Sequence, residues 1–322
     1  MNDLYQVFSN LRSFRGDNKI VQVEEIFPGL HHKIGCSEEG YPMIFVYCCD
    51  DIPTTPIKLK LFAVNFNQIC KLQESNREPE TRKYTIIQLK SLESDFQKYF
   101  IDVMSIVLRK LPPTPTVKEL KSEVGKVISL FTASPSFSKE VVKGLWAELF
   151  VIAHGNNPSY LAQSWHVSPE DKYDFNDGID KIEVKSTSKT ERVHTFAIEQ
   201  LNPNVGSELA IASVITIISG QGINIFDLLD VIAQLIPSQE LFLKVQEIVY
   251  TTIGPHIEEV KKLRIDQNMA LNTYAIYDYK EVPAINIKDV PTKVTSVHFS
   301  SCLKDCMTLD VSALSSQLLN SL

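Results

Sequence analysis

The stretch that decides the reading is Tyr173-Asp174-Phe175-Asn176-Asp177-Gly178-Ile179-Asp180-Lys181-Ile182-Glu183-Val184-Lys185-Ser186-Thr187. Asp177-Gly178 is a strong hairpin signal, because glycine reaches the positive φ that a two-residue turn requires. With that pair as the loop, Asn176 faces Ile179 and Asp174 faces Lys181. Side chains alternate along a strand, so Asp174, Lys181, Glu183 and Lys185 share one face. Tyr173, Phe175, Ile182 and Val184 take the other. A four-residue loop keeps this parity, whereas an odd-numbered loop breaks it. Asp174 and Glu183 are then diagonal cross-strand neighbours about 7–8 Å apart, near enough for both carboxylates to reach one ion.

Two carboxylates and a lysine on one face are what metal-dependent phosphodiester hydrolysis requires. Hard oxygen ligands hold Mg²⁺ and leave positions for water and phosphate, and the ion polarises the phosphoryl oxygen and activates water. Lys185 is placed to orient or deprotonate that water, or to neutralise charge that develops on the phosphate. The plainer alternative is a solvated strand face with an internal Glu–Lys attraction. A second segment bears on the choice. In a helix over 139–154, Val141, Leu145, Glu148 and Ile152 recur along one seam, which puts Glu148 on the apolar stripe. A carboxylate there is costly to bury unpaired. Either a shared metal or site waters offset that cost, or Glu148 lies at the flank of the stripe and reaches solvent.

Outward from the hairpin, strands are expected near 173–175, 181–186, 193–198 and 209–218, with helices over 225–236 and 241–253. A final strand pair is expected near 273–279 and 294–299. Upstream, Ser138 is an N-cap candidate for the 139–154 helix, and Gly155-Asn156-Asn157-Pro158 supplies its stop. A helix over 117–130 precedes a polar break at 134–138. The first third reads differently. After a short polar N-terminus come strands at 30–34 running into 43–48, then 57–64 and 84–89. Between them lie turn candidates at 37–40 and 50–53 and the charged run 74–83. Helical spacing from Phe96 to Leu111 ends at Pro112-Pro113. The expected organisation is a β-rich module over 1–111 ending in a helix, then an α/β core over 112–322 with a C-terminal α/β extension.

Taken in order, Gly144-Leu145-Trp146-Ala147-Glu148-Leu149, Trp165, Tyr173-Asp174-Phe175, Ile182-Glu183-Val184-Lys185-Ser186-Thr187 and Ile198-Glu199-Gln200-Leu201 resemble the PD-(D/E)XK nuclease superfamily. More narrowly, they resemble the PD-(D/E)XK-motif proteins encoded in bacterial restriction and phage-defence loci. The likeness spans most of the chain, including the closing segments 282–285 and 294–299. It implies an α/β (α+β) fold, a restriction-endonuclease-like core with a central mixed sheet flanked by helices, preceded here by the N-terminal β-rich module. It also implies that Asp174 and Glu183 ligate Mg²⁺, with Mn²⁺ as a substitute, and that Lys185 is the catalytic lysine. Glu148 would be the helical carboxylate supporting the metal or its waters, and Gln200 a glutamine near the site. Tyr173 replaces the motif proline, which supplies no ligand, and the interval from Asp174 to Glu183 is short.

The implied activity is a Mg²⁺-dependent DNA endonuclease of a restriction or phage-defence system. Lys181, Lys189, Arg192 and His194 are the basic candidates for phosphate contact, although Glu191 and Glu199 dilute their charge. A net charge of −7 argues against a stand-alone, non-specific nucleic-acid binder, since such domains are usually strongly basic. The acidity suggests that another subunit contributes DNA affinity; the resemblance implies an ATPase or methyltransferase subunit encoded alongside, and a homodimer is a further expectation. Two other functions fit the same residues: a non-catalytic scaffold that keeps a degenerate nuclease fold, and a nuclease acting on RNA or branched DNA.

Several classes are disfavoured. The longest apolar run, 209–218, is broken by Ser213 and Thr216, well short of the ~18 residues of a membrane span. The first residues carry no secretory pattern, so a reducing cytoplasmic setting is expected. Six cysteines in 322 residues make no disulfide framework and read as buried thiols, Cys48-Cys49 continuing an apolar strand. His298, Cys302 and Cys306 fall at intervals of four, a spacing that suits metal ligands on a helix, but the surrounding residues look like a strand leaving into a loop. Gly220-Gln221-Gly222 lacks the third glycine of a dinucleotide fingerprint, and Gly125-Lys126 lacks a phosphate-binding loop.

Overall fold

The computed structural model describes residues 4–11, 20–75, 77–132, 138–166, 171–254 and 256–322. Apart from Ser138, the polar break expected at 134–138 lies outside the described residues. The chain forms two compact units, Met1–Ser134 and Pro135–Leu322, and the content is mixed α/β. The division falls at 134/135 and not at the Pro112-Pro113 break. The reason is local: the helix after that break is tied back to the first unit. Its first residue, Val117, donates its N–H to Asp50 Oδ1 at 2.8 Å, and Cys49 N–H bonds to Pro115 O at 3.0 Å.

The first unit comprises α1 (Leu4–Leu11), β1 (Val21–Glu25), β2 (Lys33–Cys36), β3 (Pro42–Val46), β4 (Ile57–Lys58), β5 (Phe62–Glu74), β6 (Glu80–Leu89), α2 (Ser94–Lys110) and α3 (Val117–Thr132). Its sheet closes on itself. The strands follow the order β1-β2-β3-β6-β5, and β1 pairs antiparallel with β2 and parallel with β5. Closure leaves no unpaired edge within that ring, and Val23, Phe45, Leu72 and Tyr84 pack as one buried cluster. Three expectations change here. The strand expected at 57–64 is a tight connection between β4 and β5, with Leu59 N–H bonded to Phe62 O. The charged run 74–83 begins and ends in strand, with Glu74 closing β5 and 80–83 opening β6. Its charge is accommodated because Glu74 pairs with the buried Lys33, and Glu80 lies within 3.8 Å of the same amine. The N-terminal segment, expected to be polar, contributes the helix α1 with Phe8 and Leu11 buried.

The second unit comprises α4 (Lys139–His154), α5 (Pro158–Ser164), β7 (Phe175–Asn176), β8 (Lys181–Thr187), β9 (Val193–Ala197), β10 (Leu209–Ile215), β11 (Ile218–Ile223), α6 (Ile225–Leu235), α7 (Gln239–Ile253), α8 (Ile257–Lys262), α9 (Gln267–Thr273), β12 (Ala275–Asp278) and β13 (His298–Cys302). Four strands form a mixed sheet in the order β12-β10-β8-β7, with β8 and β10 parallel and the outer pairs antiparallel. β8 is an inner strand of that sheet, and β10, its parallel neighbour, is buried along its whole length, as expected of strands covered on both faces. The expected final strand pair does not pair with itself: β12 joins β10, and β13 joins β9.

The helix α4 is set by its caps. Ser138 Oγ accepts from Val141 N–H, and the chain leaves the helix at Gly155. At Gly155 a Cβ would lie 2.3 Å from Leu161 Cδ1 and 2.6 Å from Ser321 O, so this glycine is required by close approach. Asn157 and Pro158, expected only to stop α4, also start α5, with Asn157 Oδ1 accepting from Tyr160 N–H. Trp146 anchors α4 through Nε1 donating to Ile223 O at 3.1 Å, and its ring stacks on Phe150. Among the described residues no helix is long and apolar enough to cross a membrane.

The thiols are not the buried set expected. Cys49 and Cys302 are exposed, the other four are only partly buried, and all six are free.

Candidate metal centre

The strand β8 brings the chemistry to the middle of the sheet. Ile182 and Val184 are buried on one face, and Glu183, only 2 % exposed, projects from the other. The loop before it holds four residues, not two, because Phe175 pairs with Ile182 and Asn176 with Lys181. Asp177 makes the wider turn: its Oδ1 accepts N–H bonds from Ile179 and Asp180, while Gly178 takes φ +92°. Even length preserves the parity. The register now sets Asp174 opposite Glu183 and not opposite Lys181.

The ladder of β7 ends at Phe175, and Asp174 takes over where a further strand residue would bond. Its Oδ2 accepts the Val184 N–H at 2.7 Å, closing the exposed edge of β8. Beyond this point the strand alternation fails. Tyr173 packs with Leu209 and Ile211, which lie beside Lys181 and Glu183 in the parallel register. It therefore sits on the Glu183 side, whereas alternation had placed it with Phe175.

Around Glu183 the polar groups form one network. Lys185 Nζ lies 2.7 Å from Glu183 Oε1 and donates to Gln200 Oε1 at 3.0 Å. The same amine sits 5.0 Å from the Phe196 ring centroid. Gln200 Nε2 donates to Glu183 Oε1 at 2.5 Å, and Gln200 Oε1 also accepts the Ala197 N–H. With two donors on its oxygen and one carboxylate on its nitrogen, the amide orientation of Gln200 follows from the network. Glu183 Oε2, by contrast, is buried with no partner.

Glu148 approaches from α4. Leu145 and Ile152 are buried as the seam requires, but Val141 is 50 % exposed, so the buried stripe starts one turn later than expected. The Glu148 side chain is 15 % exposed. Neither solvent nor an ion has to meet its hydrogen-bonding need in full, because Trp165 Nε1 and His166 Nε2 both reach Glu148 Oε2, at 2.8 and 2.9 Å. His166 escaped the sequence reading. It follows Trp165 in a segment with no periodicity, it adopts a left-handed φ of +40°, and its N–H bonds to Asp174 O. Its proximity to Trp165, already singled out, was the one available signal. Glu148, His166 and Asp174 each offer a ligand atom within 4.8 Å of the others.

This concentration of acid shifts titration. Burial is the main cause that pushes Glu183 up to about 7, against the pull of Lys185; the charge of Glu148 adds to the rise. Asp174 is held well above the ordinary carboxylate range, by burial first and then by Glu183 and Glu148. Such elevation arises where like charges share a site. A divalent cation fits these residues on a direct structural ground: it would bring positive charge to three carboxylates and a ligand to the orphaned Glu183 Oε2.

The remaining candidates are placed elsewhere. Lys189 is exposed. Arg192 is committed to the protein interior, donating to Ser213 O and Oγ and to Thr273 O. His194 is 3 % exposed and bonds to Ser213 Oγ at 2.8 Å. Burial pulls its pKa down to about 4, with Lys185 and Arg192 adding to the fall, so it is neutral near pH 7. Arg192 and His194, expected among phosphate contacts, thus make these bonds within the protein. Lys181 is also turned inward, its amine donating to Ile179 O. His298 and Cys302 lie on β13, a strand, and Cys306 Sγ donates to Glu281 O. Among the described residues these three form no ligand cluster.

The mixed α/β fold agrees with the class that the sequence resembles. A family model described as "Putative PD-(D/E)XK family member, (DUF4420)" matches residues 7–304. The chain belongs to this family, whose description suggests a nuclease, and PD-(D/E)XK nucleases typically use divalent metals. Comparison with curated proteins and with solved structures finds no match.

Proposed function

We propose that this protein is a metal-dependent DNA endonuclease, in which Asp174 and Glu183 ligate the ion and Lys185 acts on the attacking water or on the developing phosphate charge. The observation that carries the proposal is Glu183: a buried carboxylate with one oxygen held by Lys185 and Gln200 and the other without a partner, beside Asp174. A structural ion pair on a solvated strand face would leave neither oxygen orphaned nor the side chain so deeply buried. When bound, the ion supplies Lewis acidity for the phosphoryl oxygen and lowers the pKa of water.

The chain's own groups do the rest. Asp174 is oriented by the Val184 N–H, so that one carboxylate oxygen is fixed and the other is available to a ligand. Gln200 holds Lys185 and Glu183 in register through a single amide. Glu148 is fixed by the Trp165 indole and supports the ion or its waters. Water adds to phosphorus as a P–O ester bond breaks; the proton that water gives up leaves through solvent and the departing oxygen takes one up from solvent, because carboxyl groups that ligate the ion are deprotonated. The resemblance supports a restriction or phage-defence setting with an ATPase or methyltransferase subunit alongside, and the net charge of −7 supports DNA affinity shared with another subunit.

The test is cleavage of methylated and unmethylated plasmid by the purified chain with Mg²⁺, Mn²⁺ or a chelator. Branched DNA and RNA run in parallel, and Asp174→Ala is the control. Metal-dependent cleavage of plasmid that is lost in Asp174→Ala supports the proposal. Cleavage of RNA alone reassigns the substrate, and metal titration without heat in the wild type points to the scaffold.

A further inference from the structure

The imidazole of His166 is the least explained group at the site. Its Nε2 lies 2.9 Å from Glu148 Oε2, yet that oxygen already receives the Trp165 indole N–H at 2.8 Å. Glu148 Oε2 therefore keeps a donor if the imidazole turns away, and the histidine bond is dispensable for satisfying it. The residue is nevertheless held in place, its backbone N–H bonded to Asp174 O at 3.0 Å. Its side chain, 36 % exposed, is the more open member of the pair that it forms with Glu148. Its ring also stands 5.3 Å from that of Trp165, which limits where it can point.

Independent of this geometry, Glu183 Oε2 is buried and unpartnered, on a residue close enough for Glu148 and His166 to act on it electrostatically. Glu148, His166 and Asp174 each offer an atom within 4.8 Å of the others, so one ligand there would meet carboxylate oxygen and imidazole nitrogen together. A proton satisfies only one of these atoms. A divalent cation with mixed oxygen and nitrogen preference satisfies both. Mg²⁺ takes oxygen ligands, keeps several of its waters and loses them reluctantly. Imidazole is the ligand of first-row transition ions.

Resting on the nuclease reading above, we infer that His166 is a direct metal ligand, joining Glu148, Asp174 and Glu183, and that it makes the centre selective for a transition ion such as Mn²⁺ over Mg²⁺. This reverses the order of the two ions expected from the resemblance. In this arrangement Trp165 takes over the orientation of Glu148, acting as the outer partner that ligating carboxylates usually have.

The test reads binding, not activity. Mn²⁺ and Mg²⁺ are titrated into the full chain by calorimetry, and electron spin-echo spectroscopy of bound Mn²⁺ reports any directly attached imidazole nitrogen. The expected result is a nitrogen signal in the wild type and Mn²⁺ affinity at least about tenfold above that for Mg²⁺. His166→Gln, which retains a donor for Glu148, should lose the signal and about tenfold or more in Mn²⁺ affinity, with Mg²⁺ affinity nearly unchanged. Absence of the nitrogen signal in the wild type overturns the inference. So does a His166→Gln protein that binds both ions as before or weakens both equally, because the histidine is then only a partner of Glu148. Should the variant fail to fold, the wild-type spectrum alone decides. A wild type that shows the nitrogen signal yet cuts no nucleic acid overturns the nuclease reading and leaves the ligand assignment standing.

Discussion

Replacing Glu183 by glutamine should stabilise the metal-free protein, although it removes the partner of a partly buried lysine. In the folded chain Glu183 holds its proton up to about pH 7, against 4.5 for an ordinary glutamate. Between those values the folded state binds more protons than the unfolded state, so its stability falls as pH rises through that window and levels off above it. The shift corresponds to about 3 kcal/mol of lost stability at pH 8, at 1.36 kcal/mol per pH unit. Opposed to this is the general cost of leaving a charge without its counter-ion, which reaches about 3–5 kcal/mol when the survivor is wholly buried.

Lys185 does not meet that condition. Its side chain is 17 % exposed, and it keeps the Gln200 oxygen at 3.0 Å. Relief of the buried acid therefore wins, and Glu183→Gln should gain about 1–3 kcal/mol at pH 8 and much less at pH 5. For a unit the size of Pro135–Leu322 that is about 3–10 °C in Tm. The protein offers a clean assay: its two tryptophans, Trp146 and Trp165, are both buried in this unit. Their fluorescence on heating, with a chelator present and at pH 5 through 8, follows the unit that holds Glu183. Addition of a ligated divalent ion should reverse the order, because the wild type then gains the binding free energy and the variant gains less. A wild type whose stability rises relative to Glu183→Gln between pH 5 and 8 without metal would refute the reasoning.

Lys185→Ala should lose about a hundred- to thousandfold in cleavage rate while calorimetry finds metal binding largely intact, the amine acting on water or developing charge and not on the ion. Asp174→Ala should lose both metal binding and cleavage, and it also frees the Val184 N–H, which faster amide exchange at that residue would report. Ser138→Ala removes the oxygen that accepts the Val141 N–H and should cost about 1 kcal/mol, read as a lower urea midpoint of tryptophan fluorescence. Gly222→Ala should cost more, about 1–3 kcal/mol in the same assay, since the added Cβ would lie 2.2 Å from Ile265 O and backbone has to move.

What the sequence made legible was local or periodic. The start and stop of α4 follow from Ser138 and Gly155, each acting within one helical turn. The convergence of Asp174, Glu183 and Lys185 on one site was readable because an even-numbered loop fixes parity whatever its length. The loop length was not readable, since Asp177 widens the turn by accepting two backbone N–H groups, a choice that a bare Asp-Gly pair does not announce.

The features that were not legible share another cause, which is partners supplied from a distance. Arg192 and His194 looked available to phosphate because Ser213, which accepts from one and bonds the other, stands on β10 some twenty residues on. Closure of the first unit depends on β1 pairing parallel with β5, about fifty residues away, and no periodicity encodes such a pairing. His166 combines both difficulties, lying outside any regular element and meeting Glu148 only once α4 is folded beside it. A motif read along the chain therefore recovers the carboxylates and the lysine, whose spacing is set by strand geometry. It misses the residue that, by the argument above, selects the ion, because metal selectivity depends on the mixture of donor types that tertiary packing assembles.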